Sequence, residues 1–360
     1  MLLAGGGTGG HLYPALTIAD EIKKLAPGTE FLFIGTKNKI EARVVPQRGY
    51  PFRTIWISGF HRRLTLTLSN LLFPVKVLAS LVQSFFLKRS FQPDVAIGTG
   101  GYVCGPVLWM ASMLGVPVVL HESNSYPGAT TRMLADRAAN VMTAFEQTKQ
   151  WLKRSDNVEL IGTPTREVLG TVTKEARREF FKLDSAKKTV FVFGGSLGAA
   201  SINNAMLNIL DELQANDIQL IWQTGQSDYE RVRAAVGIKK NVWLGAFIDQ
   251  IEHAYAAADV VVCRSGALTI AELTNIGLPA ILVPYPHAAA DHQTVNARSL
   301  VDAGAAVMVR DSEVESKLQT ELFNLLNDAQ RRASMSQASK RLGKPGAGKE
   351  IAKRILELVR

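Results

Sequence analysis

LLAGGGTGGHLYPALTIADEIKKL (2–25) opens the chain, and KTVFVFGGSLGAAS (188–201) restarts the same plan near mid-length. Each reads as a short apolar strand, a glycine-rich turn and a helix, and GGTGG (6–10) overlays GGSLG (194–198). Apolar runs continue at 31–34, 95–97, 116–120, 141–143 and 158–161, and in the second half at 219–223, 242–244, 260–263, 280–283 and 306–309. Short apolar strands alternating with helices build βαβ units and parallel sheets. The expected fold is therefore α/β, with two Rossmann-like, doubly wound parallel-sheet domains. A length of 360 residues suits two domains. The boundary is expected near GTPTRE (162–167), giving domains over 1–163 and 164–342. A C-terminal helix within 343–360 is expected to pack back on the N-terminal domain, although periodicity does not say where it docks.

Hydrophobic residues make up 47% of the chain and charged residues 20%, a globular composition rather than a disordered one. The formal net charge of +9 favours anionic partners: nucleotides, nucleic acid, phospholipid or phosphorylated substrates. A nucleic-acid binder would interleave its basic patch with aromatics on a recognisable module, and none is found. Cys104 and Cys263 lie far apart without CxxC or Cys/His spacing, so neither a disulfide framework nor a zinc site is expected. The first residues have no basic n-region and no long apolar run, so no signal peptide is expected. The most apolar stretch, 71–87, is interrupted by Pro74, Lys76 and Gln83. It falls short of the roughly 20 apolar residues that a membrane-spanning helix needs.

Three glycine turns, at 5–10, 98–101 and 194–198, each open a helix. Such a turn presents backbone N–H groups at the positive end of a helix dipole, which suits an anion. Three of them together point to a phosphate-bearing substrate. Gly5, Gly7 and Gly10 also fit G-x-G-x-x-G, but the second strand ends at Ile34-Gly35-Thr36 without the ribose-binding acid, and the nearest acid is Glu41. GKPGAGKE (343–350) imitates a P-loop, yet Glu350 replaces the magnesium-binding hydroxyl and a polar helix precedes it. Neither a dinucleotide enzyme nor an ATPase is expected.

Residues 58–91 are unusual. Leu71, Val75, Leu78 and Leu81 or Val82 make one helical stripe, and Phe73, Val77 and Phe85 lie off it. One stripe can face the core, and the surplus then faces outward. His61, Arg62, Arg63, Lys76, Lys88 and Arg89 flank it. An apolar surface with basic neighbours is how a protein sits on an anionic membrane surface.

GGTGGH (6–11), GTGGYVCGP (98–106), HESN (121–124), GTPTR (162–166), GGSLGA (194–199), FID (247–249), RSGALTIAEL (264–273) and DHQTVNA (291–297) occur in this order. Their spacing resembles that of the MurG family of glycosyltransferases, whose two domains face a cleft in the GT-B arrangement. The resemblance covers essentially the whole chain. It departs in an extra leading glycine in the first loop, in an N-terminus close to the first strand, and in Cys104, where a small hydroxyl residue is more usual.

The resemblance implies an inverting transfer of N-acetylglucosamine from UDP-N-acetylglucosamine to lipid I, the undecaprenyl-pyrophosphoryl muramyl-pentapeptide, without cofactor or metal. It implies peripheral attachment at the cytoplasmic face of the plasma membrane. Ser196 and Arg166 would meet the diphosphate; arginine suits phosphate because its planar fork bonds bidentately. Ile248 would meet uracil through its backbone. Ala267, Leu268 and Thr269 would aim N–H groups at phosphate, and Glu272 would accept from the ribose hydroxyls. Gln293, with Asp291 nearby, would hold the sugar. Thr8, Gly9, Gly10 and Asn124 would come from the N-terminal half, and Gly100, Gly101 and Tyr102 would receive the acceptor's pyrophosphate. Candidates for the base are His11, histidine being the side chain type that ordinarily titrates near neutrality, and Glu122 with His121. The rivals are a glycolipid synthase or UDP-sugar 2-epimerase of the same architecture, and a binder without turnover.

Overall fold

The computed structural model describes residues 1–59, 71–165, 180–195 and 197–359. They form two compact units, Met1–Thr165 with Gly346–Arg360, and Arg166–Pro345.

The first unit runs β1 (Leu2–Ala4), α1 (Gly9–Leu25), β2 (Leu32–Gly35), α2 (Ile40–Gln47), β3 (Phe52–Thr54), α3 (Phe73–Phe91), β4 (Ala96–Gly98), α4 (Cys104–Met113), β5 (Val118–Glu122), α5 (Ala129–Leu134), β6 (Asn140–Thr143) and β7 (Val158–Leu160). Its seven strands are all parallel, in the order β3-β2-β1-β4-β5-β6-β7. Its central strands β1, β2, β4 and β5 are buried along their whole length, which is why they read as continuous apolar runs rather than alternating ones.

The second unit runs β8 (Thr189–Phe193), α6 (Ala200–Asn208), α7 (Leu210–Ala215), β9 (Gln219–Gln223), α8 (Tyr229–Val236), β10 (Val242–Gly245), α9 (Ile251–Ala257), β11 (Val260–Cys263), α10 (Ala267–Ile276), β12 (Ala280–Leu282), α11 (His292–Asp302), β13 (Val307–Met308), α12 (Val314–Asn327) and α13 (Ala329–Leu342). Its six strands are parallel in the order β10-β9-β8-β11-β12-β13.

In each sheet the strand order reverses beside the first strand, at β1/β4 and at β8/β11. Ligands of open α/β sheets bind at such a switch point, outside the carboxyl ends of the strands. The glycine turns at 5–10, 98–101 and 194–198 follow β1, β4 and β8, so all three stand at switch points.

The last helix, α14 (Ala347–Glu357), belongs to the first unit. Ile351, Ala352 and Ile355 share a core cluster with Leu12, Ile18 and Ile22 of α1. The P-loop look-alike thus joins two helices, α13 and α14, where a P-loop would join strand to helix.

Candidate active site

In the first unit the loops after β1 and β4 touch. Thr99 N–H donates to Ala4 O at 3.1 Å, and Thr99 Oγ1 to His11 O at 2.7 Å. Gly101 has φ +91, and a Cβ there would lie 2.5 Å from Gly6 O, so no other residue lets the loops meet this closely. The Cys104 thiol donates to Ala4 O at 3.0 Å and Gly100 O at 3.1 Å. Burial pushes this thiol up to about 12, so it serves as a neutral clamp. Glu41 is fully buried and accepts from Gly7 N–H at 2.9 Å, Thr36 N–H at 3.1 Å and Thr36 Oγ1 at 2.8 Å. Its carboxylate holds the first glycine loop from below.

Thr8 is the N-cap of α1, and its side chain does not cap the helix; Gly9, half-buried, and Gly10, exposed, begin its first turn. His11 follows, its ring packed on Gly100, where a Cβ would lie 2.4 Å from Nδ1. His11 Nδ1 is 3.2 Å from Thr99 O. A carbonyl only accepts, so Nδ1 carries the proton in this bond and Nε2 of the neutral ring carries the lone pair. Tyr102 is half-buried beside this loop.

His121 and Glu122 lie at the end of β5 and are buried. His121 Nε2 donates to Gly162 O at 3.0 Å, and burial lowers its basicity. Glu122 Oε1 accepts from Asn124 N–H at 3.0 Å and Asn124 Nδ2 at 3.1 Å. Its Oε2 accepts from Gly128 N–H at 2.9 Å and Thr131 Oγ1 at 2.7 Å. Four donors on one buried carboxylate make it the organiser of the loop after β5 and of the first turn of α5. Asn124, half-buried, is aimed by that loop. The two base candidates therefore differ in kind: His11 bonds the Thr99 carbonyl through Nδ1, whereas both oxygens of Glu122 accept two donors each.

In the second unit, Ser196 and Arg166 lie outside the described residues. A Cβ on Gly198, whose φ is +81, would lie 2.1 Å from Thr224 O, so that position requires glycine. At the other side of the switch point α10 starts at Ala267 behind Gly266, which offers no side-chain cap. The N–H groups of Ala267, Leu268 and Thr269 form its first turn, the positive end of the helix. One turn on, Glu272 is buried, and its Oε2 accepts from Tyr255 Oη at 2.9 Å. Ile248 is buried, with its N–H donated to Gln223 Oε1 at 2.9 Å. Gln293 Oε1 accepts from Tyr285 N–H at 3.0 Å, which turns its amide N–H₂ to other acceptors.

Arg264, absent from the candidates above, anchors this face. It donates to Val283 O and Pro284 O at 3.1 and 3.2 Å, to Ser201 Oγ at 3.1 Å, and pairs with Asp311 at 2.5 Å. One guanidinium thus joins the ends of β11 and β12 to the start of α6. Its signal was available: it opens RSGALTIAEL. Tyr255 and Gln223 had none beyond a polar group in an apolar run.

Helix α3 is turned inside out. Ser80 and Ser84 are its buried residues, and each bonds a carbonyl of its own helix. Leu71 (75% exposed), Val75, Leu78 (65%), Val82, Phe85 and Phe86 (64%) face outward. Leu81 is half-buried, and Val82 takes its place on the exposed stripe. Lys76 reaches Ser58 Oγ at 3.0 Å; Lys88 and Arg89 close the helix, while His61, Arg62 and Arg63 lie outside the described residues. Among the described residues no helix is long and apolar enough to cross a membrane.

Residues 1–143 match the glycosyltransferase family 28 N-terminal domain and residues 189–354 its C-terminal domain. The chain is 45% identical to the UDP-N-acetylglucosamine–N-acetylmuramyl-(pentapeptide) pyrophosphoryl-undecaprenol N-acetylglucosamine transferase of Chlorobaculum parvum, covering 99% of each. It is 44% identical to the namesake from Salinibacter ruber, covering 99% of this chain and 96% of that one. Among solved structures, Acinetobacter baumannii MurG is similar over 99% of both chains, with a TM-score of 0.78 and 28% identity. The chain belongs to glycosyltransferase family 28 and, within it, to the MurG family of N-acetylglucosaminyltransferases.

Proposed function

We propose that this chain transfers N-acetylglucosamine from UDP-N-acetylglucosamine to lipid I, yielding lipid II for peptidoglycan. The observation that carries the reading is identity above 40% along the whole chain with relatives named for that reaction.

The second unit holds the donor. The first-turn N–H groups of Ala267, Leu268 and Thr269, with Ser196 and Arg166, stabilise the departing diphosphate by fixed electrostatics. The Ile248 carbonyl meets uracil, Glu272 the ribose, and Gln293 the sugar. The first unit holds the acceptor, with its pyrophosphate at Gly100, Gly101 and Tyr102 and with Thr8, Gly9, Gly10 and Asn124 at the reacting end. His11 Nε2 takes the proton from the acceptor hydroxyl as its oxygen bonds to the anomeric carbon and the bond to UDP breaks. One displacement inverts that carbon. The Thr99 carbonyl keeps the His11 proton on Nδ1, which leaves Nε2 as the base.

The lipid places the enzyme at a membrane. The outward stripe of α3, with Lys76, Lys88 and Arg89, suits peripheral docking on the anionic cytoplasmic leaflet, where each nearby cation adds about 1 kcal/mol. The test is UDP release from UDP-N-acetylglucosamine in detergent, with and without a lipid I analogue. Release that requires the analogue is expected. Interconversion of the UDP-sugar without it, or tight binding with no release, would overturn the reading.

A further inference from the structure

We infer that Gln223 is a positioning residue for the nucleotide donor, tying the glycine loop at Gly195 to the turn at Ile248. The inference rests on the donor reading above.

Gln223 closes β9, flanked by Phe193 of β8 and Gly245 of β10. Just beyond these neighbours the chain forms the glycine loop on one side and the turn that carries Ile248 on the other. The Gln223 side chain is 2% exposed. Its Nε2 donates to Gly195 O at 3.1 Å, and its Oε1 accepts from Ile248 N–H at 2.9 Å. The partners fix the amide's orientation, since a carbonyl needs the N–H₂ and an N–H needs the oxygen. Main-chain bonds also join the end of β9 to the start of the turn after β10, from Thr224 N–H to Gly245 O and from Gly225 N–H to Ala246 O. They stop short of Ile248. The glutamine carries the lock to that residue and across the sheet edge to the diphosphate loop.

Burying an amide is unfavourable unless both ends are bonded, and a methionine would fill the same space without that demand. The amide's contribution is geometric. Base and diphosphate sit at a fixed separation within one donor, so loops held at that separation bind it without first being ordered. Nucleoside contacts are the same in the ground and transition states. Loosening them therefore raises the donor KM and spares kcat.

Two variants test this, each checked for folding by its denaturation midpoint. Gln223→Met removes both bonds. Gln223→Glu keeps the acceptor toward Ile248 but turns a carboxylate on Gly195 O, and protonation makes that group a donor again. UDP binding is measured by titration calorimetry at about pH 9 and about pH 6, bracketing the pH range in which a buried glutamate titrates, as a ratio to wild type at each pH. Loss of one or two such bonds corresponds to roughly tenfold weaker binding. The expected result is that weakening at both pH values for methionine, and at the higher pH alone for glutamate. The donor KM rises in step, with kcat and acceptor KM unchanged. Wild-type affinity in both folded variants, a pH-independent glutamate ratio, or a fall in kcat at constant KM would overturn the assignment. A wild type that binds no UDP overturns the donor reading itself, and does so before any substitution is made.

Discussion

Replacing Glu122 with glutamine separates organiser from base. The carboxylate receives four donors: Asn124 N–H and Nδ2 on one oxygen, Gly128 N–H and Thr131 Oγ1 on the other. Glutamine keeps one oxygen and presents N–H₂ in place of the second. The Thr131 hydroxyl can turn and accept, but the Gly128 N–H then faces another donor. Stranding one such donor at a buried site costs about 1–3 kcal/mol. In a unit of this size each kcal/mol lowers Tm by about 2–4 °C, so a fall of roughly 4–8 °C is expected at the middle of that range. The assay pairs thermal unfolding with turnover measured well below the new Tm. Turnover per folded molecule is expected to change far less than the roughly 100- to 10,000-fold that loss of a general base costs. A Tm within about 1 °C of wild type together with such a collapse in kcat would refute the reasoning and make Glu122 the base.

His11→Gln is expected to fold normally and to lose roughly 100-fold or more in kcat, with the acid limb of the pH–rate profile abolished; an unchanged limb would remove His11 as the base. His121 is held neutral by burial, so its folded-state affinity for protons lies below that of the unfolded chain. Its contribution to stability is present above the unfolded pKa of about 6.5 and is lost as pH falls below it, at up to about 1.4 kcal/mol per pH unit. Urea midpoints from about pH 7.5 to about 5.5 should therefore fall more steeply in wild type than in His121→Gln, and equal slopes would contradict this. Leu78→Glu with Phe86→Glu should leave Tm nearly unchanged, because both side chains already meet water, yet weaken binding to anionic vesicles by at least about tenfold. Equal vesicle binding would take α3 out of the membrane contact. Cys104, clamped and neutral, should react with thiol reagents only on unfolding, and rapid labelling of the native protein would contradict its placement.

Much of the site was legible because it is made of backbone. A glycine turn between an apolar strand and a helix announces itself locally, since a side chain at Gly101 or Gly198 would collide with the neighbouring main chain. The same holds for RSGALT, whose Gly266 stands at the N-cap of α10 without a capping side chain and leaves the first turn open. Side-chain roles were less legible. Glu41 reads from sequence only as an acid too late for a ribose, yet it is buried under the first loop. Glu122 reads as a base as readily as an organiser until its four donors are seen.

By itself, then, the sequence determined the alternation of strand and helix, hence two parallel sheets, and the glycine turns at the carboxyl ends of their inner strands. These follow from periodicity and from steric limits within a few residues. Only the tertiary structure decided which face of α3 meets water. Its stripes are nearly equally apolar, and burial of Ser80 and Ser84 sends Leu78 and Phe86 outward. It alone seated α14 on α1, some 330 residues away in the chain. It alone brought Gln223 between Gly195 and Ile248, and Tyr255 against Glu272. Each of these pairings depends on which distant groups share a dry space. There an unbonded polar atom is costly, and that cost is set by neighbours that no local pattern names.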